Sequence, residues 1–310
     1  MNDVVSQLFA RGRLIGLPTG FHTLDNYCGG LRDGTATLLV ASTGVGKTIL
    51  ALNILVSLLK SGTPCAYYDL ENGETETLSR LLAIWFALPQ DYFLDTSNQT
   101  DAESKVEEIT ENLTYWSDDD LQRFETKELK GVDLILKLMR VELFQKKTKF
   151  FLIDPLQALE TSLDAQYSYN EQGDIVKKFK QFAQHNKVPI MLLHHMRKPT
   201  AGSGQKMKAE DIDDPQENDY YLPTLESIKG SSKITDTATD VWGMARSYGS
   251  SLEPDQGKTI LRILKSRSGK RGDVKLNLDL TTLTFLERDV PDSITYKGKT
   301  PNEVLVGPLD

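Results

Sequence analysis

The segment that most constrains the fold lies at residues 36–60, where an apolar run precedes a glycine-containing loop and a helical pattern. Residues 37–40 have the composition of a buried strand, residues 41–48 read Ala-Ser-Thr-Gly-Val-Gly-Lys-Thr, and residues 49–55 favour a helix. A phosphate-binding P-loop requires this order of strand, loop and helix. The backbone N–H groups of such a loop, together with the positive end of the following helix, can hold the phosphates of a nucleotide.

This octamer predicts individual contacts with a nucleoside triphosphate. Lys47 would reach the β- and γ-phosphates, and the hydroxyl of Thr48 would bind Mg²⁺. The predicted nucleotide-binding residues are consecutive: Ser42, Thr43, Gly44, Val45, Gly46, Lys47 and Thr48. Ala41 replaces the first glycine of the usual pattern. Alanine is compatible with that position if the residue has an ordinary strand-like φ angle.

Composition limits the class of protein. The 310 residues can bury a full core, and 39% apolar with 26% charged residues are usual proportions for a soluble globular protein. No apolar run approaches the ~18 residues of a membrane span, and the first residues lack the features of a secretory signal. Two cysteines, Cys28 and Cys65, are too few for a disulfide framework or a zinc site. We therefore expect no membrane partner and a reducing, cytoplasmic location.

Charge is distributed unevenly along the chain. A net charge of −8 usually argues against nucleic-acid binding. Residues 101–125 carry nine acids against two bases, however, and residues 258–275 carry seven bases against Asp273 alone. This asymmetry permits a local basic surface on an acidic protein, although solvated faces are the commoner cause of charge runs.

Alternating patterns predict an α/β fold. Apolar strand candidates occur at 36–41, 64–70, 149–154 and 188–193, and helical patterns lie at 47–60, 74–86, 102–113, 130–145 and 170–186. Strands that alternate with helices indicate a mostly parallel sheet with helices on both faces. After a glycine- and acid-rich loop, closely spaced strand candidates indicate a C-terminal antiparallel extension: 240–245, 259–264, 274–278 and 282–287.

Acidic residues follow two of the predicted parallel strands, at the sheet edge where ligands bind in such folds. After the second strand, Glu71 is well placed to deprotonate the water that attacks a γ-phosphate, and Asp69 is the second candidate. A helix-capping role for Glu71 stays open, because Glu74 and Glu76 lie close by. The third strand ends in Asp154 after four apolar residues, the usual form of a Walker B aspartate that binds Mg²⁺.

The fourth strand and a later one end in histidines and bases. Adjacent side chains on a strand point to opposite faces, so one of His194 and His195 is expected to face the phosphate and zinc is not expected. Lys265 and Arg267 lie two residues apart on a predicted strand, and therefore on the same side. They are placed either to serve a neighbouring subunit's γ-phosphate, as an arginine finger does, or to form a solvent-facing strand end.

In this order, these elements closely resemble the RecA-like motor domain of hexameric replicative helicases. The bacterial DnaB family, the helicase half of phage primase–helicases and mitochondrial Twinkle share the pattern, which covers residues 16–287. Leu70-Glu71 matches the family's catalytic glutamate, and Asp154 matches its Walker B aspartate. His195, in His-Met-Arg-Lys-Pro, resembles the phosphate-sensing histidine of the phage and Twinkle branch. Lys265-x-Arg267 matches the trans-acting lysine and arginine finger.

The resemblance implies ATP and Mg²⁺ as ligands and a ring of six subunits around single-stranded DNA. The expected activity is ATP-dependent translocation on that DNA with duplex unwinding. Loops at 158–170 and 197–229 would bind DNA, and the contacts assigned to them are Arg197, Lys198 and Lys229. A primase or a loader is a further expected partner. The expected location is the cytoplasm of a bacterial or phage-infected cell, or a mitochondrion for a processed fragment.

The resemblance also suggests how the chain is organised. Residues 1–15 would be an arm that packs on the neighbouring subunit, and residues 16–310 would be the RecA-like motor domain. The sequence holds no primase or helical N-terminal domain, so we expect either a fragment or a protein that works without one.

Two other function classes stay open, and the first of them would share the P-loop, Glu71 and Asp154. One is a RecA- or RadA-type strand-exchange protein, which forms ATP-gated filaments on DNA. The other is a KaiC-like ATPase that acts on protein partners. The pair Lys265-x-Arg267 and the sequence around His195 favour the helicase interpretation.

Overall fold

A computed structural model describes most of the chain. The described residues are 15–159, 165–196, 223–225, 228, 231–246, 257–267 and 269–288. The predicted DNA contacts Arg197, Lys198 and Lys229 lie outside these ranges, as do residues 1–14 of the predicted arm. The predicted nucleotide-binding and catalytic residues all lie inside them.

The strands of the described residues form one nine-stranded sheet. They are β1 (Ala36–Ser42), β2 (Cys65–Asp69), β3 (Leu113–Ser117), β4 (Phe150–Asp154), β5 (Ile190–Met196), β6 (Asp240–Arg246), β7 (Lys258–Ser266), β8 (Asp273–Leu278) and β9 (Phe285–Glu287). Their order is β3-β2-β4-β5-β1-β6-β7-β8-β9. Strands from β3 to β6 in this order pair in parallel, and β7, β8 and β9 continue antiparallel. The predicted fold class is confirmed.

Helices cover both faces of this sheet. They are α1 (His22–Cys28), α2 (Lys47–Lys60), α3 (Glu74–Phe86), α4 (Gln90–Leu94), α5 (Gln99–Thr110), α6 (Asp118–Phe124), α7 (Gly131–Gln145), α8 (Ala165–Asn186) and α9 (Ser231–Thr237). The predicted bounds of α2 and α3 match the structure residue for residue. Among the helices described, none combines the length and apolarity that crossing a membrane requires.

The sequence prediction is wrong near residue 113, where one helix was expected to span 102–113. Helix α5 ends at Thr110, and β3 begins at Leu113 on the edge of the sheet. β3 reads Leu-Thr-Tyr-Trp-Ser, and its β-branched and aromatic residues favour an extended chain. The short helices α1, α4, α6 and α9 were not predicted either. A capping box between Ser117 and Asp120 begins α6, which is a pattern that the sequence does contain.

Alternation along the strands divides the core into two layers. In β2, Tyr67 packs in the layer that includes α2 and α3, whereas Tyr68 packs in the layer that includes α7 and α8. In β1, Leu39 belongs to the first layer and Val40 to the second. Both faces of β1 and β2 are therefore buried, which leaves the ends of the strands available to a ligand, and in such sheets ligands bind at the carboxyl ends.

Helix α7 carries a buried acid, Glu142. Its Oε1 accepts hydrogen bonds from the hydroxyl of Tyr68, at 3.0 Å, and from the indole N–H of Trp116. Burial raises the pKa of Glu142 from 4.5 to about 7, although both hydrogen bonds act to lower it. This carboxyl group thus joins β2, β3 and α7, and it holds its proton more tightly than a carboxyl group in water does.

We expect Glu142→Gln to remove part of the pH dependence of stability. The folded chain holds this proton more tightly than the unfolded chain, so the contribution of Glu142 to the free energy of unfolding falls as the pH rises from about 4.5 through 7. The variant should therefore gain stability relative to the parent between pH 5 and pH 8, by on the order of 2 kcal/mol. Urea denaturation at both pH values measures the difference.

Glu107→Gln, an exposed substitution on α5, is the matched control and should follow the parent at both pH values. Other buried acids such as Asp25, whose pKa burial raises to about 7, titrate in all three proteins and cancel in the comparison. A variant and a parent with the same pH dependence would show that Glu142 ionises normally in the folded chain.

Candidate nucleotide site

The loop between β1 and α2 has the geometry of a P-loop. Gly44 and Gly46 have φ angles of 82° and 101°, which residues with a side chain rarely adopt. A Cβ atom at Gly44 would have no neighbour within 4 Å, so the space beside the loop is open to a ligand. Ala41 lies within β1, in the strand conformation that its replacement of glycine requires. The loop therefore has the form that the octamer predicts.

Lys47 and Asp154 form a buried ion pair beneath this loop. Nζ of Lys47 lies 3.3 Å from Oδ1 of Asp154, and the two side chains are 4% and 0% exposed. The hydroxyl of Thr48 donates to Oδ2 of the same carboxylate at 2.7 Å. A buried charge needs a counter-charge. Asp154 thus fixes both Lys47 and Thr48, the two residues predicted to contact phosphate and metal.

Glu71 and His195 meet at the open side of this site. Nε2 of His195 lies 2.8 Å from Oε2 of Glu71. Glu71 follows β2 and His195 lies on β5, and β4 with Asp154 runs between these strands. The side chain of Glu71 is 51% exposed and that of His195 is 27% exposed. Both are therefore accessible to a ligand held by the P-loop.

The second histidine of β5, His194, is buried on the other face of the strand. Nε2 of Gln157 lies 2.6 Å from Nδ1 of His194 and donates to the carbonyl oxygen of His195 at 3.0 Å. Burial, followed by the charges of Lys47 and His195, lowers the pKa of His194 to about 3. His194 is therefore neutral near pH 7, and Gln157 holds the strand end that presents His195.

Among the described residues, Glu71, Asp154 and His195 form a group that could hold a metal ion. One ligand atom of each lies within 4.8 Å of the others. The hydroxyl of Thr48 adds an oxygen next to Asp154. Carboxylate and hydroxyl oxygens are ligands that Mg²⁺ accepts. The oxygen donors of Glu71, Asp154 and Thr48 therefore fit the predicted ion, whereas the imidazole of His195 is not a usual ligand of Mg²⁺.

Asp69, the second candidate for the catalytic acid, has a structural environment. Its carboxylate is fully buried and accepts hydrogen bonds from the hydroxyls of Thr77 and Tyr115. The backbone and side-chain N–H groups of Asn72 donate to it at 3.0 and 3.1 Å. Asp69 thus fixes the turn that carries Glu71 and the start of α3.

Lys265 and Arg267 lie at the amino ends of the parallel strands, whereas the P-loop lies at their carboxyl ends. Because β7 runs antiparallel to β6, its final residue Ser266 pairs with Asp240, the first residue of β6. The P-loop lies beyond the other end of β6, at a distance of roughly 20 Å for a strand of this length. The side chains of Lys265 and Arg267 donate to backbone carbonyl groups of α9 and of the residue after it. The structure therefore does not bring them to the nucleotide site of their own chain.

Sequence reasoning missed one residue beside the P-loop, Arg246. It ends β6, and its Nη2 donates to the carbonyl oxygen of Gly44 at 3.2 Å. A polar residue at the end of a predicted strand was a visible signal. Its importance was not, because only the sheet order shows that β6 is the direct neighbour of β1. Gln157, which holds the end of β5, was missed for the same reason.

A known protein family shares the sequence that builds this site. The sequence model of the "DnaB-like helicase C terminal domain" family matches residues 16–287. The chain belongs to this family. The match includes every residue of the site described above, and it does not favour the strand-exchange or KaiC-like alternatives.

Similar proteins of this DnaB-like family include replicative DNA helicases. The DnaB of Helicobacter pylori strain 26695 is 24% identical over 264 residues, which are 83% of this chain and 49% of that protein. The DnaB of Leifsonia xyli subsp. xyli is 25% identical over 282 residues, which are 89% of this chain and 57% of that protein. The chain spans about half the length of the curated relatives it matches.

Two solved structures share the fold. One is an isolated ATPase domain with a TM-score of 0.71 at 19% identity, and the match covers 93% of this chain and 98% of that chain. The other, a DnaB-like replicative helicase studied with its interactions with primase, has a TM-score of 0.69 at 19% identity, with coverage of 92% and 66%. The DnaB-like chain therefore has the RecA-like fold of these ATPase domains.

We expect substitutions of Lys47 and Glu71 to separate nucleotide binding from hydrolysis. Lys47→Ala should lose affinity for ATP together with turnover, because it removes the cation beneath the P-loop. Glu71→Gln should bind ATP with Mg²⁺ normally but hydrolyse it at least ~10²-fold more slowly, the usual effect of a lost general base. Titration with a fluorescent ATP analogue and a phosphate-release assay measure the two properties.

Glu74→Gln is the control for Glu71→Gln, because Glu74 is an exposed acid in the first turn of α3. It should retain the parent rate. Hydrolysis by Glu71→Gln at nearly the parent rate would remove Glu71 from the reaction.

Proposed function

We propose that this DnaB-like chain is the ATP-hydrolysing motor of a ring-shaped replicative helicase, which moves along single-stranded DNA and unwinds duplex. One observation carries the proposal. The P-loop, Asp154, Glu71 and His195 converge at the carboxyl edge of the sheet, whereas the basic pair of β7 lies at the opposite edge. A site divided in this way is complete only when a neighbouring subunit supplies that pair. Residues 16–310 are the motor domain, and residues 1–15 are the arm that packs on the neighbour.

Each residue of the site has a chemical role in ATP hydrolysis. Lys47 binds the β- and γ-phosphates, and the N–H groups of residues 42–48 surround them. Glu71 orients the attacking water and accepts its proton. His195, which is hydrogen-bonded to Glu71, contacts the γ-phosphate and transmits its loss to the loop after β5.

Thr48 and Asp154 are the residues that would hold Mg²⁺. When bound, the ion neutralises charge on the phosphates. The hydroxyl of Thr48 already lies 2.7 Å from the carboxylate of Asp154, so the two oxygen ligands are positioned before an ion binds.

Lys265 and Arg267 act on the ATP of the neighbouring subunit. They lie at one end of β6, and the P-loop of their own chain lies beyond its other end. A guanidinium group presents a rigid fork of donors that matches the charge of a γ-phosphate. Subunits arranged head to tail would place this pair in the next site, and closure of that arrangement gives a ring, with six subunits as the family's usual number.

Single-stranded DNA is the proposed polymer substrate. In the sequence, Arg197 and Lys198 directly follow β5, the strand that carries His195, and Lys229 precedes α9. A primase or a loader is the proposed protein partner, because a solved DnaB-like replicative helicase was studied with its interactions with primase. The relatives named above are bacterial, which supports work in the cytoplasm of a bacterial or phage-infected cell.

We expect single-stranded DNA to stimulate ATP hydrolysis and Arg197→Ala/Lys198→Ala to weaken that DNA binding. The double variant should bind all sequences less tightly, because its lost contacts are to phosphates. The slope of log affinity against log salt should become shallower by roughly 0.7 for each lost contact. Fluorescence anisotropy with labelled oligonucleotides over a salt series measures the slope, and a fork substrate measures unwinding.

Lys137→Ala/Arg140→Ala is the matched control, because it removes the same charges from the exposed face of α7. It should keep the parent slope. An unchanged slope in the Arg197/Lys198 variant would place the DNA site elsewhere, and ATPase activity indifferent to DNA would contradict the helicase proposal.

We expect Lys47→Ala and Arg267→Ala subunits to complement each other when mixed. Each protein alone should be nearly inactive, since fingers of this kind contribute ~10³–10⁵ in rate. In a mixed ring, some sites combine Lys47 of one subunit with Arg267 of its neighbour, and these sites are intact. Phosphate release should therefore recover in the mixture and disappear on dilution below the assembly concentration. A co-assembled mixture without recovery would place Arg267 outside the neighbour's site.

A further inference from the structure

Three cationic side chains converge at the C-terminal end of α9. Lys265 Nζ donates to the carbonyl oxygens of Thr235, Asp236 and Ala238 at 2.5, 3.0 and 2.8 Å. Arg267 Nη2 also donates to Asp236, at 2.9 Å. The third cation is Lys180 of α8, whose Nζ donates to the carbonyl oxygen of Thr237 at 2.9 Å.

These contacts use four successive carbonyl groups, those of residues 235–238. The last carbonyl groups of a helix have no partner within it, and they carry the negative end of the helix dipole. Cations are therefore favoured at this position. Lys265 and Arg267, both from the end of β7, contact three of the four carbonyl groups, and Lys180 contacts the remaining one.

Helix α9 lies along α8, and Lys180 fixes one end of that contact. Near the other end, Lys233 of α9 forms an ion pair with Asp174 of α8 at 2.9 Å. The aliphatic part of the Lys233 side chain packs against Gly173. A Cβ atom added to Gly173 would lie only 2.5 Å from Cγ of Lys233. Between these points, Ile234 is fully buried in the second core layer. The hydrogen bond from Lys180 thus attaches the C-terminal end of α9 to α8.

Like charges are crowded at this end. Burial lowers the pKa of Lys180, and the charge of Arg267 lowers it further. Burial also lowers the pKa of Lys265, followed by the charge of Arg267. A buried acid nearby, Asp240, already forms an ion pair with Arg32 at 2.8 Å. The charges of Asp236 and Asp240 favour the charged form of Lys265. The carbonyl oxygens of residues 235, 236 and 238 accept the hydrogen bonds of the Lys265 and Arg267 side chains and so fix where these side chains lie.

We propose that Lys180 is a positioning residue for the trans-acting pair, because it fixes to α8 the helix end on which Lys265 and Arg267 rest. This inference rests on the proposed action of that pair on the neighbour's ATP. Lys180 itself is assigned no contact with nucleotide or phosphate. Without it, the carbonyl group of Thr237 loses its cation and the end of α9 is free to shift against α8. The three N–H donors of Lys265 are all engaged by carbonyl oxygens here, so this arrangement is the resting position from which the pair turns to the neighbour's γ-phosphate, and without Lys180 that position is lost.

Lys180→Met is the test variant, because methionine keeps the apolar stem and removes the charge and the donor. Its kcat for ATP in the presence of single-stranded DNA should fall ~10- to 10²-fold, the scale that a misplacement of about 1 Å produces. KM should change less than about twofold, because the chain's own P-loop is intact. Lys180→Arg keeps a charged donor and should restore most of the rate. Lys177→Met, an exposed substitution one turn earlier on α8, should behave as the parent.

Mixed rings distinguish positioning of the trans pair from a general loss of structure. Lys180→Met mixed with Lys47→Ala should regain activity, because each supplies what the other lacks at a shared site. Lys180→Met mixed with Arg267→Ala should not regain activity, because neither protein supplies a functional trans-acting pair to its neighbour. If Lys180→Met does not assemble, Lys180→Gln takes its place, and failure of both to assemble would show that Lys180 has a structural role only.

The pair Lys47→Ala and Arg267→Ala tests the trans arrangement separately from the role of Lys180. Its failure to complement would overturn the trans arrangement itself, and this inference with it. If that pair complements, the inference alone is overturned by a Lys180→Met protein with parent kcat. It is equally overturned by a Lys180→Met protein that co-assembles with Lys47→Ala without regaining activity.

Discussion

Parallel pairing of β2, β4, β5 and β1 is the constraint on which the site depends. In this pairing Asp69 is level with Asp154, and Ala41 is level with His195, so strands distant in sequence end at one edge. The backbone hydrogen bonds of the sheet fix these levels to within a residue, and both faces are buried under helices. A shift of one residue in any of these strands would turn its functional side chain to the opposite face.

The second constraint is that a buried charge needs a partner of opposite charge. A buried ion pair meets this requirement at the carboxyl ends of the parallel strands, and another meets it at their amino ends. At the carboxyl edge, Lys47 is paired with Asp154. At the amino edge, Arg32 is paired with Asp240, which also accepts a hydrogen bond from the backbone N–H of Arg267. Because removing one partner of such a pair leaves an uncompensated buried charge, each pair fixes the elements that carry it.

The antiparallel extension gives the molecule two chemically different edges. If β7 were parallel to β6, Lys265 and Arg267 would lie beside the P-loop of their own chain. Because β7 reverses direction, the pair lies at the amino edge and rests on α9, which follows the predicted DNA-binding stretch 197–229. Helix α9 therefore connects the stretch proposed to bind DNA, which precedes its first residue, with the residues proposed to act on a neighbour's ATP, which contact its C-terminal end. That connection is a physical route by which the two activities can influence each other.

Local chemistry could be predicted from the amino-acid sequence. The P-loop residues, the strand ends with Glu71 and Asp154, and the bounds of α2 and α3 all depend on spacing, apolar runs and glycine positions, which act within a few residues. Edge strand β3 and the short helices could not be predicted, since packing rather than periodicity decides segments of this length. Which strand ends are neighbours became known only from the folded chain. Arg246 lies beside Gly44, Gln157 lies beside the histidines, and Lys180 of α8 contacts the end of α9. These residues are far apart in the chain, and their contacts depend on sheet order and helix packing, which local pattern does not encode.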